Sequence, residues 1–265
     1  MTTIVELLRA TDSDTRRDVE VIICAALGVD RTYLYTHATE TLDATSEAKI
    51  GRMLADHRAG IPVAYITGQR EFWSLPLDVS RDVLIPRPET ELLVELVVER
   101  MPTNARLLEL GTGSGAIALA IARHRRDVSI TATDISSAAL AIARRNAMKL
   151  ALNIEWVAGD WYEPIVGRFD FIVSNPPYIR EDDPHLNALV CEPRIALAAG
   201  VDGLAALRRI IAGAPQHLSP DGCLLVEHGF DQGDAVRALF GAAQFHPIKT
   251  VRDLAGHERV TLGRQ

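Results

Sequence analysis

The stretch Glu109-Leu110-Gly111-Thr112-Gly113-Ser114-Gly115 decides how this chain folds. It follows the apolar run Arg106–Leu110 and leads into an alanine- and isoleucine-rich segment, 114–124, giving the order strand, glycine loop, helix. Glycines at such a junction let the chain turn tightly and bring its backbone against a ligand, as in nucleotide-binding βαβ units. A packing turn is the other reading of the same residues. Downstream the pattern alternates, with strands predicted at Ser129–Thr133, Ile154–Ala158, Phe169–Ser174 and Cys223–Glu227. Helices are predicted over 137–150, 203–217 and 231–242, and a further one, 89–101, precedes the loop. Alternation of this kind predicts an α/β fold with a parallel sheet covered by helices on both faces. Ile248–Arg252 and Arg259–Leu262, around Ala255-Gly256, read as a closing antiparallel hairpin.

Upstream of residue 62 the signals are helical. Val19, Ile22, Ile23, Ala26 and Leu27 share one face and Gly28 stands at the C-terminal cap position. Ile50, Met53, Leu54 and His57 repeat the pattern on a helix ending near Gly60, which predicts a histidine packed into the core. Ala64–Thr67 and Phe72–Leu75 flank Gly68 and predict a hairpin, closed off by Ile85-Pro86-Arg87-Pro88. The predicted organisation is a small helical domain over 1–75, a hairpin and linker over 76–88, and a catalytic domain over 89–265.

Composition narrows the classes. At 265 residues, 48% hydrophobic and 24% charged, the chain is neither disordered nor fibrous. No apolar run approaches the roughly 18 residues of a membrane-spanning helix. Residues 1–12 lack the pattern of a secretory leader, so a cytoplasmic location is expected. Cys24, Cys191 and Cys223 are odd in number and far apart, which predicts buried thiols and neither disulfides nor a metal site. His57, His185 and His228 lack the spacing of metal ligands. A net charge of −7 without a basic stretch argues against a general nucleic-acid binder, a local basic patch aside.

The strand ends carry the chemistry. The loop spacing is G-x-G-x-G, unlike the G-x-G-x-x-G that aims a helix N-terminus at a pyrophosphate. S-adenosylmethionine has no phosphate, and its amino-acid tail suits a close-packed backbone. Asp134 ends the second strand, 21 residues after Gly113, where a carboxylate accepts both ribose hydroxyls. A helix cap is its alternative, although Ser136 or Ser137 serves that purpose. Asp160-Trp161 ends the third strand, where the acid suits an adenine amino group and the indole lies beside the ring or in the core. Ser174-Asn175-Pro176-Pro177-Tyr178 follows the next strand. Two prolines fix the backbone and remove two donors, so the Asn175 side-chain oxygen and the Pro176 carbonyl remain as acceptors beside Tyr178. Two acceptors suit the two hydrogens of an NH2 group on a planar amide or base and turn its lone pair toward an electrophilic methyl. A rigid loop with a buried tyrosine is the plainer reading.

These motifs together resemble the PrmC/HemK family, the protein-(glutamine-N5) methyltransferases of peptide-chain release factors. The resemblance rests on Gly68–Phe72, Leu84–Glu91, the glycine loop, Asn175–Tyr178, Glu192-Pro193-Arg194 and Glu258–Thr261, nearly the whole chain. It implies a class I S-adenosylmethionine-dependent methyltransferase: a Rossmann-like seven-stranded sheet, a small helical N-terminal domain and a β-hairpin linker. By motif it implies that Gly111, Thr112, Gly113, Ser114, Gly115, Asp134, Trp161 and Asn175 hold S-adenosylmethionine, with S-adenosylhomocysteine as product. It further implies that Asn175, Pro176, Pro177 and Tyr178 bind the glutamine of the Gly-Gly-Gln motif in class-1 release factors and form the catalytic tetrapeptide. The N-terminal helices would dock the protein substrate or simply pack as a bundle. Arg87 and Glu89 would shape the site wall or clamp the linker as ion-pairing groups. No direct nucleic-acid partner, no membrane and a monomeric enzyme are expected. Against the family pattern, the loop between Tyr178 and Glu192 is shorter and has Cys191 where an aromatic is usual. Its Glu181-Asp182-Asp183 meets a basic substrate surface or is a solvated face. The Asn-Pro-Pro-Tyr segment alone is shared with DNA adenine and rRNA guanine amino-methyltransferases, the second reading. A dehydrogenase fits neither the glycine spacing nor that segment, and its intactness argues against a module that only binds.

Overall fold

The computed structural model describes residues 2–9 and 15–265. The chain divides into two compact units, Met1–Gln69 and Arg70–Gln265. In the first, α1 (Ile4–Arg9), α2 (Arg16–Leu27), α3 (Arg31–Thr36), α4 (Ala44–Arg58) and α5 (Val63–Thr67) bury Ile22, Ile23, Leu34 and Ile50 among themselves. Gly28 ends α2 in the left-handed conformation, φ 71°, and its N–H reaches the Cys24 carbonyl. His57 departs from the expected core placement. Its Nε2 lies 3.3 Å from Asp18 Oδ2, because the last turn of α4 ends opposite a carboxylate of α2.

The hairpin also differs from the expectation. Residues 63–67 are helical, begun at Pro62 and ended by Gly68 at φ 74°. Proline restricts φ at a helix start and glycine relieves the left-handed end, which accounts for both. The hairpin strands are β1 (Gln69–Phe72) and β2 (Leu75–Asp78), turning through Trp73 and Ser74, with φ 51° and 59°. A two-residue turn with both φ positive favours Asn-Gly, so Trp-Ser gives no sequence signal for it.

The larger unit is built on β3 (Arg106–Leu110), β4 (Ser129–Asp134), β5 (Glu155–Ala158), β6 (Phe169–Ser174), β7 (Leu218–Glu227), β8 (Ile248–Arg252) and β9 (Glu258–Arg264). They form one seven-stranded sheet in the order β5-β4-β3-β6-β7-β9-β8. The first five in that order are parallel, and β9 runs antiparallel to both β7 and β8. Leu107, Val173 and Leu225 enter one apolar layer, and Leu108, Ile172 and Leu224 the other. A strand buried on both faces reads as a continuous apolar run, which is why these segments stand out in the sequence. Helices α6 (Glu91–Arg100) and α7 (Ala116–His124) supply the first layer, and α9 (Ala205–His217) and α10 (Gly233–Ala242) the second. Between β4 and β5 runs α8 (Ser137–Leu150).

Register sets the position of the site. Leu110 pairs with Thr133 on one side and Ser174 on the other, and Ser174 pairs with Val226. The residues that follow, Gly111, Asp134, Asn175 and Glu227, therefore leave one sheet edge side by side. Asn146 of α8 ties the hairpin to this edge. Its Nδ2 donates to the carbonyls of Asp78 and Ser114, both at 3.0 Å, and its Oδ1 accepts the Asp78 N–H at 2.8 Å.

Asn146→Ala leaves three buried backbone groups without these partners, at a cost of about 2–3 kcal/mol. Thermal melting should show a Tm lowered by about 5 °C or more. An unchanged Tm contradicts the structural role given to Asn146.

Candidate active site

Two cavities open at this edge. The first, about 380 Å³, is walled by Gly111–Ser114, Asp134, Asp160, Trp161, Asn175 and Pro177. Of the five expected loop residues, Gly115 alone is not in the wall. It is buried with φ 83°, and a Cβ there would come within 3.0 Å of the Trp156 ring, so it serves packing. Gly113, at φ 57°, has open space where a side chain would stand. Its N–H donates to Asp134 Oδ2 at 2.8 Å, and the Ser136 N–H donates to Asp134 Oδ1 at 2.8 Å. The Ser136 hydroxyl caps α8 by accepting from the Ala139 N–H, which leaves the Asp134 carboxylate on the cavity wall. Burial raises the Asp134 pKa, against the pull of the backbone N–H groups of Ser136 and Gly113.

Trp161 sits in the left-handed region, φ 50°, an unfavourable conformation for a bulky residue. Packing holds it there. A Cβ on Gly111 would lie 3.2 Å from its ring, and the indole also packs on the second apolar layer, so it is at once wall and core. Asp160 is paired with Arg209 of α9 at 2.8 Å. The wall presents Asp82, Asp134 and Asp160, whereas its guanidiniums, Arg87 and Arg209, are bound to Glu192 and Asp160. Such a wall suits a nucleoside carrying positive charge and disfavours a pyrophosphate. S-adenosylmethionine, with a sulfonium and an ammonium, fits.

The second cavity, about 340 Å³, is lined by Pro176, Tyr178, Glu89, Glu227 and Arg259. Asn175 and Pro177 belong to the walls of both cavities. Asn175 Nδ2 donates to the buried Thr90 Oγ1 at 3.0 Å, which leaves Oδ1 free of that contact. The Tyr178 carbonyl accepts from Gln232 Nε2 at 3.0 Å, and a Cβ on Gly203 would fall 2.4 Å from that oxygen. The Ile179 N–H donates to the Leu197 carbonyl, so the backbone following the two prolines is fixed on both sides. The Tyr178 phenol approaches Glu227 Oε1 at 3.4 Å. Burial, then the nearby Glu227 charge, pushes its pKa well above the ordinary value, so it stays protonated.

Several groups at the site escaped the sequence reading of roles. Glu109, buried under the glycine loop, accepts from the Thr112 hydroxyl at 2.7 Å and the Ala118 N–H at 3.1 Å. Burial raises its pKa to about 8, so it is neutral at pH 7 and holds the loop without adding charge. Glu227 is 1% exposed and burial raises its pKa to about 7. Each is a lone acid at the end of an apolar strand, a signal present in the sequence. The ion pair of the linker joins Arg87 to Glu192, which also accepts the Ile85 N–H at 3.0 Å; Glu89 instead lines the second cavity. In the short loop, Asp183 caps the 3-10 turn Pro184–Leu189 and binds His185, whereas Glu181 and Asp182 are exposed.

The expectation of three buried thiols holds for Cys223 alone; Cys24 and Cys191 are half-buried. Cys24 lies at the margin of the apolar face of α2, and Cys191 lies in a loop. His228 bridges the Gly229 carbonyl and the Thr261 hydroxyl. Among the described residues no group of His, Cys, Asp and Glu is gathered to hold a metal, and no helix is long and apolar enough to cross a membrane.

Comparison with known proteins bears on the family and the fold. The family model for the PrmC N-terminal domain matches residues 2–68, and that for the Methyltransferase small domain matches residues 88–189. A methyltransferase from Pyrococcus furiosus superposes with a TM-score of 0.57 at 18% identity, covering 84% of this chain and 98% of that one, a likeness of fold. The release factor glutamine methyltransferase of Xylella fastidiosa is 48% identical over 264 residues, 97% of this chain and 96% of its own. The protein of that name from Escherichia coli K12 is 45% identical over 262 residues, 97% and 94% of the two chains. With such identity running through helical unit, linker and sheet alike, the chain belongs to the release factor glutamine methyltransferase family.

Proposed function

We propose that this chain methylates the side-chain amide nitrogen, N5, of the glutamine in the Gly-Gly-Gln motif of class-1 release factors. The observation that carries the reading is the meeting of two cavities at Asn175 and Pro177. One is suited to a cationic nucleoside and the other ends at a planar amide acceptor pair, so donor and acceptor would face each other across those two residues. When bound, S-adenosylmethionine supplies an electrophilic methyl group and leaves as S-adenosylhomocysteine. Gly111–Ser114, Asp134, Asp160 and Trp161 would hold it, the acids taking ribose and adenine groups as hydrogen-bond acceptors.

In the second cavity Asn175 Oδ1 and the Pro176 carbonyl would accept the two amide hydrogens. An amide nitrogen is a poor nucleophile because its lone pair is delocalised. Two acceptors that hold its hydrogens out of the amide plane restore some of that lone pair and orient it, so positioning replaces a strong base. Tyr178, protonated and clamped through its backbone, would lie against the flat face of the amide. The surplus proton leaves nitrogen after transfer, when the nitrogen has become acidic. The names of the curated relatives support the substrate, as does a helical unit matched by a family-specific model.

Labelled S-adenosylmethionine offered with a release factor, its Gly-Gly-Ala variant, DNA and rRNA should mark only the unaltered release factor. Label on nucleic acid, or equal label on the variant, overturns the reading. Asn175→Ala should lower turnover by about 100-fold through loss of orientation, while cofactor affinity falls only partly. Near-normal turnover in that variant contradicts the acceptor role.

A further inference from the structure

We propose that Glu192 is a positioning residue for methyl transfer: it closes a ring of chain segments around the second cavity and so holds the linker that orients Asn175. The proposal rests on the reading of that cavity as the acceptor site.

Glu192 stands behind the walls of both cavities and acts through what it holds. It is buried, and each of its carboxylate oxygens has a partner in the linker. Oε2 accepts the Ile85 N–H at 3.0 Å, and Oε1 binds the Arg87 guanidinium. The linker needs such a grip. Pro86 and Pro88 have no N–H, so the segment Ile85–Pro88 cannot secure itself through a regular ladder. Ile85 is buried as well, and its N–H therefore requires a partner inside the protein.

From the linker the contacts run to the chemistry. The Arg87 carbonyl accepts the Thr90 N–H at 3.1 Å, which closes the 3-10 turn Pro88–Thr90. The Thr90 hydroxyl in turn accepts from Asn175 Nδ2 at 3.0 Å. Past Tyr178, the Ile179 N–H donates to the Leu197 carbonyl and the Ala199 N–H donates to the Ile179 carbonyl, both at 2.9 Å. Leu197 is joined to Glu192 by the short turn Arg194–Ala196, and the Arg194 guanidinium donates to the Glu181 carbonyl at 3.3 Å. The path thus returns to Glu192. Leu84, Arg87, Asn175, Tyr178, Ile179 and Leu197, drawn from each segment of this ring, line the second cavity.

One side chain makes the joint between the linker and the loop that carries Glu192, whereas paired backbone groups join that loop to Ile179. Cutting the joint at Glu192 loosens the linker, and with it Thr90 and the Asn175 amide. A displacement of about 1 Å at an orienting group is enough to lower a rate by up to 100-fold. Gly113 and Ser114 keep their places, held by Asp134 and Asn146. The linker also supplies Leu84, Pro86 and Arg87 to the first cavity, so cofactor affinity falls somewhat, but less than use of the acceptor.

The test measures kcat and KM on a release factor, cofactor affinity by calorimetry, and Tm. The proteins are the wild type, Glu192→Ala, Glu192→Gln, Arg87→Met and the double variant Glu192→Gln with Arg87→Met. Glu192→Ala, which drops both contacts, should lower kcat/KM about 30-fold, and cofactor affinity should weaken about threefold or less. Glu192→Gln still accepts the Ile85 N–H and should lose less, about fivefold. Once Arg87 is replaced by Met, Glu192→Gln should cause no further loss, because the two changes cut the same link. A purely structural role would lower Tm and leave kcat and KM unchanged in the folded variants, and that result overturns the proposal. Cofactor affinity that falls as far as kcat/KM overturns it too, as do losses that multiply in the double variant. Should Glu192→Ala not fold, Glu192→Gln and the double variant decide. A wild type that leaves release factor unlabelled but labels a nucleic acid refutes the substrate reading instead, and the same variants on that acceptor then decide whether Glu192 positions it.

Discussion

The register of four strands is the constraint on which the site depends. Leu110, Thr133, Ser174 and Val226 stand level across β4, β3, β6 and β7, so the next residue of each strand emerges at one height on one edge. Gly111 opens the loop, Asp134 accepts the N–H of Gly113 within it, Asn175 begins the proline segment and Glu227 lines the second cavity with it. A slip of one residue in any strand would turn its side chains to the opposite face and carry an apolar residue into this row. The two apolar layers prevent that slip, since Leu107, Val173 and Leu225 already fill one and Leu108, Ile172 and Leu224 the other. Core packing and site geometry are therefore one requirement.

Buried acids give the edge its electrical character. Burial raises the Glu109 pKa to about 8, so it sits neutral at pH 7 beneath a loop beside the half-buried Asp134; two bare carboxylates there would repel. Arg209 and Arg87 are bound by Asp160 and Glu192, so neither offers an unpaired cation to the first cavity. Under the proposed function, this pairing would suit a positively charged nucleoside in the first cavity and an uncharged amide in the second. The net charge of −7 belongs to the whole surface, and the site itself works through local pairing.

Much of this was legible in the sequence, for identifiable reasons. The central strands are buried on both faces, so they read as apolar runs, and their C-terminal ends could be located within a residue. Strand β7, however, begins at Leu218, five residues before the Cys223 read from the sequence, where Ser219-Pro220-Asp221-Gly222 breaks the apolar run. The glycine loop, Asp134 and Asn175 follow those ends directly, and the motifs named the same family as the full-length relatives do. What the sequence concealed are contacts between segments far apart along the chain: Thr90 with Asn175, Arg87 with Glu192, Asp160 with Arg209. Periodicity reports which side of an element is apolar and is silent on which side chain lies opposite. The hairpin was misplaced for a different reason. Gly68 serves a helix end, and the true turn uses Trp73 and Ser74, residues with no preference for that conformation. Thr90 and Asn175 stood inside recognised segments, but only the fold brings them together.

The central claim is that an amide nitrogen is held at the junction of the two cavities by Asn175 Oδ1 and the Pro176 carbonyl. A crystal structure of the enzyme with S-adenosylhomocysteine and a glutamine-containing release-factor fragment tests it most directly. The account predicts the glutamine nitrogen within about 3 Å of both oxygens, with its free face toward the cofactor sulfur. A glutamine side chain bound outside the second cavity, or an Asn175 that turns its nitrogen to the substrate, would contradict it.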